Sequence, residues 1–340
     1  MILRRFIVPK LAAVIQSWLA RCCLSLAFGL FSLAAQADLR AQAQAIFGDG
    51  SRPVAEPAAA EVALGRKLFF DARIGVDGTS CASCHAAEHG GADGRATAIG
   101  AFGRQGSRNT PTIVDIVPQI AMHWTGDRRS LAHQAISSLT APPAYAHETQ
   151  QAAVNRMTEL ADLKADFERV YGEVSAENWG RALTAYQQAL TTESDFDRFL
   201  QGRADLGEAA KRGLQNFMQI GCAGCHSGPL LGGQSYQKFG LVADYTRYTG
   251  SAEDIGRQQH TGKASDYRVF KVPPLKHAVQ TAPYFHDGSV SQLSAAIDIM
   301  AKVQLGQTLS PAQVSDMVAF LTAASAPMPA LLSPPELNRE

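Results

Sequence analysis

Apolar residues along the chain gather into a few helical stripes, separated by long polar, glycine-rich stretches. From Ala60, residues Val62, Leu64, Leu68 and Phe69 fall on one broad face and predict a helix leading into Cys81. Ala209, Leu214, Phe217 and Ile220 repeat that pattern ahead of Cys222. Ser175 opens an amphipathic helix with Trp179, Leu183, Tyr186 and Leu190 on one side. Ser310-Pro311-Ala312-Gln313 reads as a capping box with proline at the first helical position. Val314, Met317, Val318 and Leu321 are its expected buried stripe. No long alternating strand pattern occurs, and residues 241–284 read as loop, so the expected fold class is mainly α.

One arrangement occurs twice. A helix leads into Cys-x-x-Cys-His, followed by a glycine pair: Gly90-Gly91 in one copy, Gly232-Gly233 in the other. This weak internal repeat predicts two domains of one type, for which 340 residues suffice. The expected division is a signal peptide over 1–37, domains over 38–202 and 203–328, and a Pro-rich tail over 329–340 lying loosely on the surface. The Ala/Gln/Pro-rich residues 38–57 are expected to wrap the surface.

The signal is read from Arg4, Arg5 and Lys10, the apolar run from Leu24 to Leu33, and Ala35-Gln36-Ala37 as a cleavage site. The competing reading is an uncleaved anchor over 11–35, but Arg21 interrupts it and the apolar core beyond is short. Export makes the expected location periplasmic, with no membrane attachment after cleavage. A formal net charge of zero gives no basic field for nucleic acid or anionic lipid.

Of six cysteines, Cys22 and Cys23 lie in the signal. The other four are Cys81 and Cys84, followed by His85, and Cys222 and Cys225, followed by His226. Two thiols at this spacing can add across the two vinyl groups of haem, and the adjacent histidine then binds the iron. Zinc is the alternative for any Cys-x-x-Cys, but it gives no reason for a histidine directly after each pair. Two covalent haems, with His85 and His226 as proximal ligands, are therefore expected. Whether each iron keeps an open sixth position decides between catalysis and electron transfer. Met300 is a candidate sixth ligand for the second haem, although a methionine on an apolar helix face is more often core. For the first haem, His89, His123, His133 and Met122 are the nearby donors, and none stands out.

These residues carry a resemblance. The mature chain resembles the bacterial dihaem cytochrome c peroxidase and MauG superfamily over nearly its whole length. The likeness runs through Leu64-Gly-Arg-Lys-Leu-Phe-Phe-Asp71, Arg108-Asn109-Thr-Pro-Thr112, Trp124, Gly232-Gly233-Gln234 and Pro273-Pro274-Leu275. Its most specific stretch is Thr281-Ala-Pro-Tyr-Phe-His286-Asp-Gly288. The resemblance implies that Met300 ligates the second haem, where MauG has tyrosine. It implies that Trp124 relays electrons between the haems, and that Gln134 lies in the distal pocket of the first. It also implies a calcium ion held by Asn109, Thr281 and Pro283, chemistry that suits a hard cation.

Two positions depart from the family. The loop histidine that caps the first haem in many of these peroxidases is matched here by Ala101, so that haem is expected to be open. The distal glutamate is matched by Ala144, with Glu148 close by as a substitute or as a plain surface carboxylate. Three functions follow. The first is reduction of hydrogen peroxide with electrons from a small periplasmic c-type cytochrome or cupredoxin. The second is MauG-like oxidation of side chains, such as tryptophan, on a partner protein. The third is electron transfer without catalysis. The resemblance also allows a homodimer.

Overall fold

The computed structural model describes residues 38–51 and 56–335. The expected signal segment with Cys22 and Cys23, and the last five residues of the tail, lie outside the described residues. The chain divides into two compact units, the first ending at Ile46 and the second beginning at Phe47. Residues 38–47 form a helix, α1, where surface-wrapping chain was expected. Alanine and glutamine are good helix formers once no proline intervenes.

The second unit is built from α2 (Ala59–Phe70), α3 (Leu131–Ser138), α4 (Gln150–Glu159), α5 (Ala161–Tyr171), α6 (Ala176–Ala189) and α7 (Asp195–Leu200). It continues with α8 (Glu208–Ile220), α9 (Gln258–Thr261), α10 (Leu293–Leu305) and α11 (Pro311–Ala323). The one sheet among the described residues pairs β1 (Tyr236–Lys238) with β2 (Val269–Lys271), antiparallel, with Tyr236 opposite Lys271. The chain is mainly helical, as the stripes predict. No described helix is long and apolar enough to cross a membrane.

The internal repeat has a structural counterpart. In each copy the helix ahead of Cys-x-x-Cys-His crosses a later helix, α2 on α6 and α8 on α11. Glycine allows both crossings. A Cβ on Gly65 would lie 2.0 Å from the Ala182 carbonyl oxygen, and one on Gly213 would lie 1.9 Å from that of Asp316. The aromatic one turn further on fills each crossing: Tyr186 in α6 and Phe320 in α11, both fully buried. This close approach shifts the buried stripe of α11. Met317, Phe320 and Leu321 are buried, while Val314 and Val318 are only half-buried, because α8 meets the Phe320 side.

The first core runs from Leu64 to Leu190 and also takes in Leu332. The described part of the tail is therefore not loose. Leu332 is buried, Tyr186 donates to the Leu331 carbonyl at 2.9 Å, and Arg66 donates to that of Ser333 at 2.9 Å. Apolar burial of one leucine outweighs the looseness that proline content suggested. Phe196 in α7 packs edge-on against Phe320 at 5.1 Å and against Phe47 at 5.5 Å.

Replacing Gly213 with alanine should cost stability even though alanine favours helix. Forcing α8 from α11 should lower the stability read from urea denaturation by about 1–3 kcal/mol. An unchanged midpoint would contradict the close crossing.

Candidate functional site

Each Cys-x-x-Cys-His motif begins as one tight turn. Cys81–Ser83 and Cys222–Gly224 are both 3-10 turns, and in each the fourth and fifth backbone amides fold back onto the first carbonyl. Ser80 fixes the first turn by a reciprocal bond with Ser83. Gly221, in a left-handed conformation at φ 107°, starts the second.

The turn fans the three side chains outward. The Cys81 thiol meets the Tyr145 hydroxyl at 3.2 Å, Cys84 Sγ faces the Ile99 carbonyl at 3.7 Å, and His85 Nδ1 bonds the Gly91 carbonyl at 2.9 Å. In the second motif His226 Nδ1 bonds the Leu231 carbonyl at 3.1 Å. Among the described residues no three His, Cys, Asp or Glu side chains converge as a zinc cage requires.

Both imidazoles suit an iron. Nδ1 donates its proton to a carbonyl, so the lone pair lies on Nε2, and that bond orients the ring and raises its basicity. Burial pushes the His85 imidazole below its ordinary value and lowers that of His226 to about 4, so both are neutral near pH 7. Burial likewise pushes the Cys81 and Cys222 thiols up to about 11. The residues present therefore fit covalently bound haem: two thiols splayed on one turn and one neutral, pre-oriented imidazole, in each of two copies. They define a c-type haem protein.

Around the first motif, Ala101 is fully buried. Its loop is held tightly: a Cβ on Gly100 would lie 1.6 Å from the Pro143 carbonyl oxygen, and Arg104 donates to that of Pro142 at 3.3 Å. Gln134 is half-buried on α3, and Ala144 packs against the first core. Glu148 is exposed, directly ahead of Thr149, which caps α4. His89 lies against Gly94, and His123 bonds Asp127 at 3.1 Å.

Trp124 and Met300 come together. A buried cluster of Phe239, Tyr245, Phe270 and Val303 has Trp124, Phe285, Ile299 and Met300 packed against it. The Trp124 indole N–H donates to the Asn109 carbonyl at 2.9 Å, and the Trp124 carbonyl accepts from the Lys271 amide at 2.7 Å. His286 meets Trp124 edge-on at 6.4 Å and stacks on Phe270 at 4.3 Å. Asn109 is buried, donates through Nδ2 to the Arg95 carbonyl at 2.9 Å, and donates its amide to the His286 carbonyl at 2.8 Å. Thr281 donates to the Ala278 carbonyl at 3.5 Å.

Sequence reasoning missed three residues here. Tyr145 lies between Cys81 and Trp179, its ring edge-on to Trp179 at 5.2 Å. Its signal was its place in Ala141-Pro-Pro-Ala-Tyr-Ala-His-Glu148. His286 was legible as part of a specific motif, but its contact with Trp124 was not. Asp254 gave no signal; it ties the loop after β1 to Arg108 by two bonds, at 2.7 and 2.8 Å.

Known proteins agree with this chemistry. A family model described as di-haem cytochrome c peroxidase matches residues 59–205. The cytochrome c551 peroxidase of Pseudomonas aeruginosa is 36% identical over 308 residues, covering 87% of this chain and 89% of that protein. The methylamine utilization protein MauG of Methylorubrum extorquens is 33% identical, with 84% of each chain covered. The cytochrome c peroxidase Ccp of Escherichia coli is 38% identical over 267 residues, and this chain spans 57% of its length. The crystal structure of a MauG-like protein associated with microbial copper homeostasis superposes with a TM-score of 0.71 at 26% identity, covering 84% of this chain and 96% of that one. The chain belongs to the di-haem cytochrome c peroxidase and MauG family of haem-dependent oxidoreductases.

The Arg108–Asp254 pair yields a pH prediction. Burial alone would raise the Asp254 carboxyl, but the Arg108 guanidinium holds it below the usual carboxylate range. Its contribution is present above the unfolded pKa of about 4 and is lost as pH falls through the folded value. Asp254→Asn should therefore cost about 1–3 kcal/mol in urea denaturation at pH 7. The gap to the wild type should close on acidification; a gap independent of pH would contradict the ion pair.

Proposed function

We propose that this chain is an exported, periplasmic peroxidase with two cytochrome c-like halves that perform different tasks. The half carrying Cys81, Cys84 and His85 takes hydrogen peroxide at an open site. The half carrying Cys222, Cys225 and His226, whose haem iron Met300 would also help to hold, takes electrons from a small c-type cytochrome or cupredoxin. The observation that carries this reading is a contrast between the halves. Met300 packs against the aromatic cluster that also holds Trp124, whereas Ala101 fills the loop position from which a histidine would cap the first site.

When bound, haem supplies an iron centre that exchanges electrons and supports cleavage of the peroxide O–O bond. The chain's own residues do the rest. The Gly91 carbonyl keeps the His85 ring in the tautomer that offers Nε2, making it a stronger electron donor. Cleavage also needs a proton carried from the inner peroxide oxygen to the outer one. The Gln134 amide can orient peroxide but does not titrate. Proton carriage falls to Glu148, which is in contact with bulk water, or to water beside Gln134 and the Pro142-Pro143 turn. Trp124 offers its indole as the electron path between the halves, its N–H held by the Asn109 carbonyl so that the ring keeps one orientation. Calcium at Asn109, Thr281 and Pro283 would brace this seam through Asn109 Oδ1 and backbone carbonyls.

A second reading is MauG-like oxidation of a partner protein's side chains. The absence of an imidazole at Ala101 favours it, because such chemistry needs a first site that is open in the oxidised protein. Turnover separates the two readings. The peroxidase consumes reduced small cytochrome catalytically, whereas the modifying enzyme leaves it and alters its partner.

Hydrogen peroxide mixed with the fully oxidised protein should change the haem spectrum rapidly without prior reduction. A response that requires one added electron would show that another group caps the first site. Trp124→Phe should keep both haems and the peroxide response of the oxidised protein. It should slow steady turnover with reduced cytochrome by about tenfold or more. Undiminished turnover would remove Trp124 from the electron path.

A further inference from the structure

Two lysines are buried among the described residues, and they are housed differently. Lys276 reaches Asp197 at 2.6 Å and Asp115 at 3.5 Å. Lys271, 5% exposed in β2, donates to the Gln119 amide oxygen at 2.5 Å, and no carboxylate of the described residues forms an ion pair with it. Burial pushes its ammonium down to about 8, with no opposing charge to hold it up. Taking an ammonium out of water is costly unless an anion compensates.

The arrangement around Lys271 is nonetheless deliberately held. The loop carrying Gln119 is stitched to the glycine pair after the second motif: Ile120 donates to the Gly233 carbonyl at 3.0 Å, and Gln234 donates to that of Pro118 at 2.7 Å. A Cβ on Gly233 would lie 2.9 Å from Gln119 Cγ, and one on Gly232 would lie 3.3 Å from His226 Nδ1. The Lys271 amide bonds the Trp124 carbonyl, and the carbonyl of Pro273, two residues on, faces the His226 imidazole. An uncompensated cation is thus fixed between the electron-path tryptophan and the second proximal histidine. Haem brings two carboxylates of its own, its propionates.

We propose that Lys271 is the counterion of a propionate on the haem attached at Cys222 and Cys225, with Gln119 positioning the ammonium. This rests on the reading that this motif carries haem. A fixed positive charge beside a haem favours its reduced form, so Lys271 is a positioning residue that holds up the potential of the electron-accepting half. The propionate in turn supplies the anion that the described residues do not offer, so Lys271 stays charged in the loaded protein.

The test is a spectroelectrochemical titration of the loaded protein and of Lys271→Gln and Lys271→Arg. In Lys271→Gln the reduced-to-oxidised ratio of the second haem, at a fixed applied potential, should fall about tenfold, a shift of about 59 mV for one electron. Lys271→Arg should stay near the wild type, and the first haem should not move in either variant. An unchanged second haem, or a shift confined to the first, overturns the proposal. Should Lys271→Gln fail to accumulate, resonance Raman of the wild type reads the same contact. A propionate bending mode displaced from the water-exposed position is expected, and all such modes at the exposed position overturn it. Haem content is measured alongside. Two haems per chain with an unmoved potential refute Lys271 alone, whereas one haem per chain overturns the underlying reading and the proposal with it.

Discussion

Each half of this protein depends on a neutral imidazole tied by Nδ1 to a backbone carbonyl: His85 to Gly91, His226 to Leu231. A protonated or freely rotating ring could not present a lone pair in a fixed direction. Much of the surrounding chain serves that bond. The carbonyl must come from a loop that turns back within six residues of the histidine, and left-handed glycines help make the turn: Gly90 and Gly91 after His85, Gly228 after His226. Thr112 locks the first loop by donating to the Gly90 carbonyl at 2.6 Å. The helix crossings at Gly65 and Gly213 set the bed on which each turn rests.

Buried polar groups far apart in sequence are tied to one another in pairs. Asp115, buried after the first motif, accepts from His277 at 2.8 Å and lies beside Lys276, which bonds Asp197. Arg108 crosses to Asp254. Such pairs are poor sources of net stability, but breaking one leaves a buried charge. They fix the register in which Trp124 reaches the cluster holding Met300.

The sequence made the local features legible and hid the long-range ones. Both Cys-x-x-Cys-His turns, the helices ahead of them, the Ser175 and Ser310 caps and the mainly helical class follow from spacing and side-chain chemistry within a few residues. Met300 did not: helical periodicity made it core, and only the family resemblance pointed to an axial ligand. Tyr145, His286 and Lys271 went unassigned because their partners lie far away in sequence, and no local rule links them. The tail was misjudged for the same reason, since Leu332 finds its core more than 140 residues upstream of itself in the chain. Glu148, offered as a distal acid by its place beside Ala144 in the sequence, is exposed directly ahead of the cap of α4.

The division of labour between two similar motifs is the central claim, and magnetic circular dichroism of the fully oxidised protein, extended into the near infrared, tests it most directly. The account predicts two different haems at once: one low-spin with the charge-transfer band of histidine–methionine ligation, and one lacking a second strong protein ligand. Two low-spin haems, or a histidine–methionine signal that survives in Met300→Leu, would contradict it.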